Sequence, residues 1–220
     1  MRPRLAKIAL LAAFALFGPA LLPGCSGGAG LGPARSSKLA GKLLGQGFES
    51  SDKQFDLKPT RYHSAKHTDE GVLVSTGSLA SGVSPIWFTG AVPRDFDLEL
   101  GANLLDAAPD SGWGVLFGGK DRKYGYRAMV YGSGRLCVDR LFDTYPQFIH
   151  CVGLQPEVVK GESYNRIRVR VTGYRIRIWV NGLETLSFDD DRYEGGALAL
   201  AVAGAKTEVL FRLWQYAKVR

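Results

Sequence analysis

Residues 165–182 read NRIRVRVTGYRIRIWVNG, with arginine at 166, 168 and 170, a Thr-Gly break, and arginine again at 175 and 177. Successive side chains of a β-strand point to opposite faces, so this period of two collects Ile167, Val169, Val171, Ile176, Ile178 and Val180 on one side and the charge on the other. A helix would scatter both sets around its circumference. The chain must therefore supply an apolar layer for one side of a hairpin and a polar surface for the other. With Thr172 and Gly173 as the central turn residues, the expected register pairs Arg170 with Arg175, Arg168 with Arg177 and Arg166 with Trp179. Like charges directly opposite cost about 0.2–1 kcal/mol per pair, so the face needs compensation. A neighbouring acidic strand is one source, and Asp95, Asp97 and Glu99 have the matching alternation. Solvation and salt screening are another. The third is an anionic ligand held by arginine forks, with Trp179 as an apolar platform. That third source makes Arg168, Arg170, Arg175, Arg177 and Trp179 the candidate ligand-binding residues.

The same alternation recurs down the chain. Phe96, Leu98 and Leu100 alternate with Asp95, Asp97 and Glu99, and Tyr126, Ala128 and Val130 alternate with Arg127, Met129 and Tyr131. Leu198, Leu200 and Val202 follow, then Val209, Phe211 and Leu213. No long amphipathic helix competes, and the 28 glycines suit a chain of many turns and bulges. The expected class is all-β, a two-sheet antiparallel sandwich.

The first 24 residues read as an export signal. Arg2, Arg4 and Lys7 precede an apolar run from Ile8 to Leu22 that is too short to span a bilayer. Leu22-Pro23-Gly24-Cys25 then resembles a lipobox, which makes Cys25 the expected lipidated residue and acyl chains the expected membrane partner. The segment 25–45, rich in Gly, Ser, Ala and Lys, is expected to be a flexible tether, and 46–220 a single folded domain. Such a protein sits at the bacterial cell envelope, with Ser26 directing it to the outer membrane if the envelope is Gram-negative. The net charge of +7 falls to +4 without residues 1–24, since 25 basic residues then face 21 acidic ones. So small an excess gives no basis for a nucleic-acid partner.

Cys137 and Cys151 are the two remaining cysteines, on strand-like segments either side of the turn-forming DTYP. In an oxidising compartment they are expected to form a disulfide, lying opposite each other if the hairpin centres near Thr144. No metal site is expected. His63 and His67 lack both the glutamate of H-E-x-x-H and a third ligand, and are read as a surface loop. Asp189, Asp190 and Asp191 gather oxygen ligands of the kind Ca2+ takes, but acidic turns share that composition. Catalysis by the D-x-D-x-E of residues 95–99 is not expected, because an aspartate at the first position is a methylene short for retaining glycosidase geometry. Trp87, Trp113, Tyr124, Tyr126 and Tyr131 are candidates for lining a glycan groove, with two or three of them expected in the core.

The segments GVLVSTGS, DFDLELGANL, SGWGVLF, ESYNRIRVRVTGYRIRIWVNG and GGALALAVAGAKTEVLFR, in this order, resemble the concanavalin A-like jelly roll. The likeness is to LamG-like and 3-keto-disaccharide hydrolase-like domains in particular. The resemblance implies a jelly-roll fold and, among its members, either carbohydrate binding or glycosidase-type hydrolysis. The expected function is a membrane-anchored lipoprotein with a non-catalytic domain that binds carbohydrate or an anionic envelope polymer. A hydrolase of the 3-keto-disaccharide type and a structural lipoprotein are the alternatives.

Overall fold

The computed structural model describes residues 42–48, 54–80, 82–106, 108, 110–119, 121–153 and 164–219. The signal segment, Cys25 and the tether up to residue 41 lie outside the described residues. Fourteen strands and no helix make up the described chain. One sheet runs β12 (Leu183–Asp189), β11 (Arg175–Val180), β10 (Tyr164–Thr172), β5 (Phe96–Asp106), β14 (Glu208–Lys218), β3 (Gly71–Thr76), β2 (His63–Thr68), with β1 (Lys42–Gln46) also paired to β14. The other runs β4 (Val83–Trp87), β13 (Ala197–Ala203), β6 (Gly112–Gly119), β7 (Gly125–Tyr131), β8 (Arg135–Phe142), β9 (Tyr145–Gly153). The pairings are antiparallel throughout, as the alternating pattern requires.

The core lies between the sheets. Phe96, Leu98, Leu100, Ile167, Val169, Ile176 and Ile178 from one meet Trp113, Val115, Phe117, Ala128, Leu198 and Leu200 from the other, all sealed from solvent. Each of the branched and aromatic side chains among them contributes roughly 1.5–3 kcal/mol of burial free energy. The core set of the arginine hairpin is the one the alternation gives, but its register is two residues away from the expected one. Arg168 lies opposite Trp179, Arg170 opposite Arg177 and Thr172 opposite Arg175. The reason is the turn. Gly173 has φ +62° and occupies the first central position, with Tyr174 second, the arrangement of a type II′ hairpin turn. One like-charge pair thus replaces the expected two.

In β14 the alternation breaks. A bulge between Phe211 and Leu213 turns Trp214 and Tyr216 inward and leaves Leu213 half-buried on the outer side, opposite Gly101. Trp214 then becomes the hub of an aromatic cluster, with Phe55, Phe88, Tyr216 and Phe48 at centroid distances of 4.9, 5.4, 6.1 and 6.4 Å. Strand pairing at the N-terminal end begins at Lys42, so β1 takes in the last residues of the segment read as tether.

Cys137 and Cys151 are disulfide-bonded across β8 and β9. The hairpin turns at Asp143-Thr144, both with positive φ, and a bulge beside Val138 and Asp139 brings the two cysteines into opposition. Closing a 14-residue separation stabilises by about 3 kcal/mol on the chain-entropy account. Replacing both cysteines with serine is expected to lower unfolding free energy by about that amount, read as a lower denaturation midpoint under oxidising conditions. Dithiothreitol should then no longer shift the variant's midpoint.

Candidate functional site

The sequence-predicted arginine face forms the outer surface of the first sheet, and most of its charge is answered inside the fold. Strand β5 lies beside β10, setting Glu99 opposite Arg168 and Asp97 opposite Arg170. Asp97 is fully buried. Arg168 donates to it from Nε (2.8 Å, Oδ1) and Nη2 (2.7 Å, Oδ2), and Arg170 donates to Oδ2 from Nε (3.0 Å) and Nη2 (2.8 Å). Arg166 Nη1 stands 3.2 Å from Glu99 Oε1. Burial pushes the Glu99 carboxyl above its ordinary range, while Arg166 and Arg168 pull it down. Asp95 accepts a hydrogen bond from the backbone N–H of Gly173 and so braces the turn. Arg175 forks onto Asp189 in an exposed pair. Trp179 carries the guanidiniums of Arg168 and Arg170 at 5.4 and 5.5 Å from its ring centre, and a small cavity of about 70 Å³ lies between it, Glu99, Arg166, Arg168 and Gly182. The acidic-strand explanation of the alternating charge is the one the geometry supplies.

The histidines prove to be strand residues and not a loop. His63 and His67 begin and nearly end β2, where four positions separate them by about 13 Å, too far to share an ion. Among the described residues no group of three or more His, Cys, Asp or Glu is placed to hold a metal. His63 is buried, with Thr60 Oγ1 3.2 Å from its Nδ1, and burial pushes its pKa below the ordinary 6.5. The unfolded chain takes up this proton at a higher pH than the fold does. Stability is therefore expected to fall as pH drops below about 6.5. The midpoint-against-pH curve of His63→Gln should be flatter in that window.

The aromatic candidates divide as expected: Trp113 and Tyr126 are core, while Trp87 and Tyr131 are half-buried and Tyr124 is exposed. Tyr124 marks the site that sequence reasoning did not assemble. A cleft of about 710 Å³ opens where the ends of β6, β7, β8 and β9 meet the loop between β12 and β13. On its rim Tyr124 and Phe142, 40% and 56% exposed, pack edge to face with centroids 5.4 Å apart. Its polar lining includes Arg140, Gln147, Arg192 and Glu194. Arg140 donates through Nη2 to Gln147 Oε1 and holds Nη1 3.9 Å from Asp190. Asp190, buried behind the cleft, accepts from the backbone N and Nε of Arg192 at Oδ1 and from Nη2 at Oδ2. Burial first, and the Asp190 carboxylate second, hold the Tyr126 hydroxyl far above the ordinary phenol range, so it stays protonated.

Local sequence explains the shape. Asp121 accepts from the backbone N–H of Lys123, and Lys123 O accepts from Thr144 N–H at 2.8 Å, so the loop bearing Tyr124 is fastened to the tip of the β8–β9 hairpin. Gly118 has φ +77°, and a Cβ there would stand 2.1 Å from the Tyr193 ring. Only glycine admits the buried Tyr193, whose hydroxyl donates to Arg94 O. The sequence signal was FGG at 117–119 facing YGY at 124–126: glycines where aromatic rings approach the backbone.

Residues 40–215 match the family model of the 3-keto-alpha-glucoside-1,2-lyase-like domain. No curated protein matches the sequence. Among solved structures, the carbohydrate binding module CBM66 from Bacillus subtilis superposes with a TM-score of 0.64 at 17% identity, over 78% of this chain and 99% of its own. A Bacillus subtilis protein of unknown function with a galectin-like fold gives 0.64 at 13%, over 82% and 98%. The exoplasmic/lumenal domain of VIP36, bound to Ca2+ and Man3GlcNAc, gives 0.61 at 11%, over 81% and 91%. At these identities the likeness shows the fold, a concanavalin A-like jelly roll.

Proposed function

Because the chain belongs to the 3-keto-alpha-glucoside-1,2-lyase-like domain family, we propose that it binds saccharide in the cleft of Tyr124 and Phe142, as a non-catalytic domain tethered to the envelope through lipidated Cys25. The carrying observation is the exposed aromatic pair over hydrogen-bonding groups. Two rings that a sandwich would otherwise bury stand on the rim, where the apolar face of a sugar can stack, above Arg140, Gln147 and Arg192 as donors and acceptors for hydroxyls. The cleft is braced by its own hydrogen bonds before any ligand arrives, which lowers the ordering cost of binding. One structural neighbour is a carbohydrate binding module and another carries a bound glycan, and both support the same reading. Asp189 and Asp190 are held by Arg175 and Arg192.

The family description favours one rival, elimination across C1–C2 of a 3-keto-glucoside. That reaction removes the proton at C2, made acidic by the neighbouring ketone, and expels the oxygen at C1. It needs a base at C2. Among the described lining residues the carboxylates of Asp121 and Glu194 stand in solvent, and Asp190, behind the cleft, is held by Arg192. A glycan array and a 3-keto-glucoside turnover assay separate the two. Binding to an unoxidised glycan that falls at least tenfold in Tyr124→Ala/Phe142→Ala, without turnover, is expected. Consumption of the keto-glucoside would establish the enzyme instead, and silence in both assays would leave a structural lipoprotein. Cys25→Ala is expected to move the protein from the membrane to the soluble fraction.

A further inference from the structure

Arg170 and Arg177 face one another directly across the β10–β11 hairpin. Arg168 and Arg170 share the single charge of Asp97, and Arg177 meets no acid within ion-pair distance among the described residues. Arg166 with Glu99 and Arg175 with Asp189 cancel as pairs. Arg170 and Arg177 are thus two opposed cations of which one shares its acid and the other has none within ion-pair distance, with Glu184 exposed on the next strand opposite Trp179. A directly opposed like-charge pair destabilises a sheet. Here it is held in place. The fork onto buried Asp97 fixes Arg170 through Nε and Nη2 and leaves Nη1 outside that fork, on a side chain still 27% exposed. Trp179, flanked by Arg168 and Arg170, is a rigid wall beside it.

We propose that Arg170 and Arg177 form an oxyanion site, independent of the saccharide cleft, that takes a phosphoryl or carboxylate group, with buried Asp97 as the residue that positions Arg170. Two arginines opposed in register can offer guanidinium donors to the oxygens of such a group, and charge-assisted hydrogen bonds turn the repulsion between them into binding. An envelope polymer, a phosphorylated sugar and a lipid headgroup share this chemistry.

The test uses the full chain carrying Cys25→Ala, so that no acyl chain contributes to membrane binding. Thermal midpoints are measured in inorganic phosphate and in glucose 6-phosphate against chloride at equal ionic strength, and sedimentation with phosphatidylglycerol against phosphatidylcholine vesicles. Phosphate should raise the midpoint in proportion to the logarithm of its concentration. Arg177→Gln should be at least as stable in chloride, lose that response, and bind glucose 6-phosphate about tenfold or more weakly. Arg177→Lys, which keeps the charge and loses the fork, should recover only part. Tighter binding of glucose 6-phosphate than of phosphate supports the site with a sugar source, and preferential sedimentation with phosphatidylglycerol, lost in Arg177→Gln, supports it with a lipid source. Phosphate acting no differently from chloride, or acting equally on Arg177→Gln, overturns the proposal.

Discussion

Replacing Asp97 with alanine is expected to cost about 3–5 kcal/mol, the range for breaking a buried ion pair by removing one partner. Asp97 has no exposed surface and accepts both forks of Arg168 and Arg170. Its removal leaves two guanidiniums, 11% and 27% exposed, with their inward donors unanswered and Arg177 close by. Asp97→Asn keeps the shape but not the charge, and should sit nearer to alanine than to wild type. Urea unfolding would read the loss as a lower midpoint at an unchanged slope. Relief is the sharper sign: Arg170→Gln added to Asp97→Ala should regain part of the lost stability, because it removes a stranded charge. A wild-type midpoint in Asp97→Ala would mean that solvent and salt, and not the acidic strand, carry the arginine ribbon.

Trp214→Ala is expected to be as damaging, about 3–5 kcal/mol, as for other large aromatics emptied from a core. Trp214 is fully buried and touches four rings, two of which, Phe48 and Phe55, belong to the segment that enters the domain. The cavity would open where β1, β14 and the Phe55–Phe88 bridge converge. Its Nε1–H meets no acceptor among the described residues, so the ring is what the packing uses. Trp214→Phe should therefore retain more than half of what alanine loses. Equal losses for phenylalanine and alanine would contradict the packing account.

The fold was legible because the strands of the first sheet set apolar side chains on one face and charge on the other, so their period survives in the sequence, whereas β6 and β13 of the second sheet are buried on both faces. Ile167 to Val171 and Phe96 to Leu100 declare their faces without reference to anything distant. What failed to show was whatever depended on a single backbone residue. Gly173 in the first turn position moved the arginine register by two, and the bulge at Arg212 exchanged Leu213 for Trp214. In β14 neither face assignment alone contains the bulge; it appears only once Trp214 and Tyr216 are required inside together. The acidic partner of the arginines was visible as a matching alternation, though not as an adjacency, since 71 residues separate Asp97 from Arg168. The cleft was illegible for a stronger reason. Tyr124, Arg140, Phe142, Gln147 and Arg192 come from two strands and two connecting loops, share no period, and meet only because the sheet order brings their ends together.

The proposed function puts neutral saccharide at the cleft and leaves the charged ribbon chiefly structural. Amide and side-chain chemical-shift mapping tests it most directly, titrating a neutral oligosaccharide selected from the array into the 15N-labelled chain. Shifts centred on residues 118–126, 140–147 and 192–194 are expected, with the Trp179 indole unmoved. Shifts confined to residues 166–179, with Tyr124 and Gln147 unchanged, would contradict it.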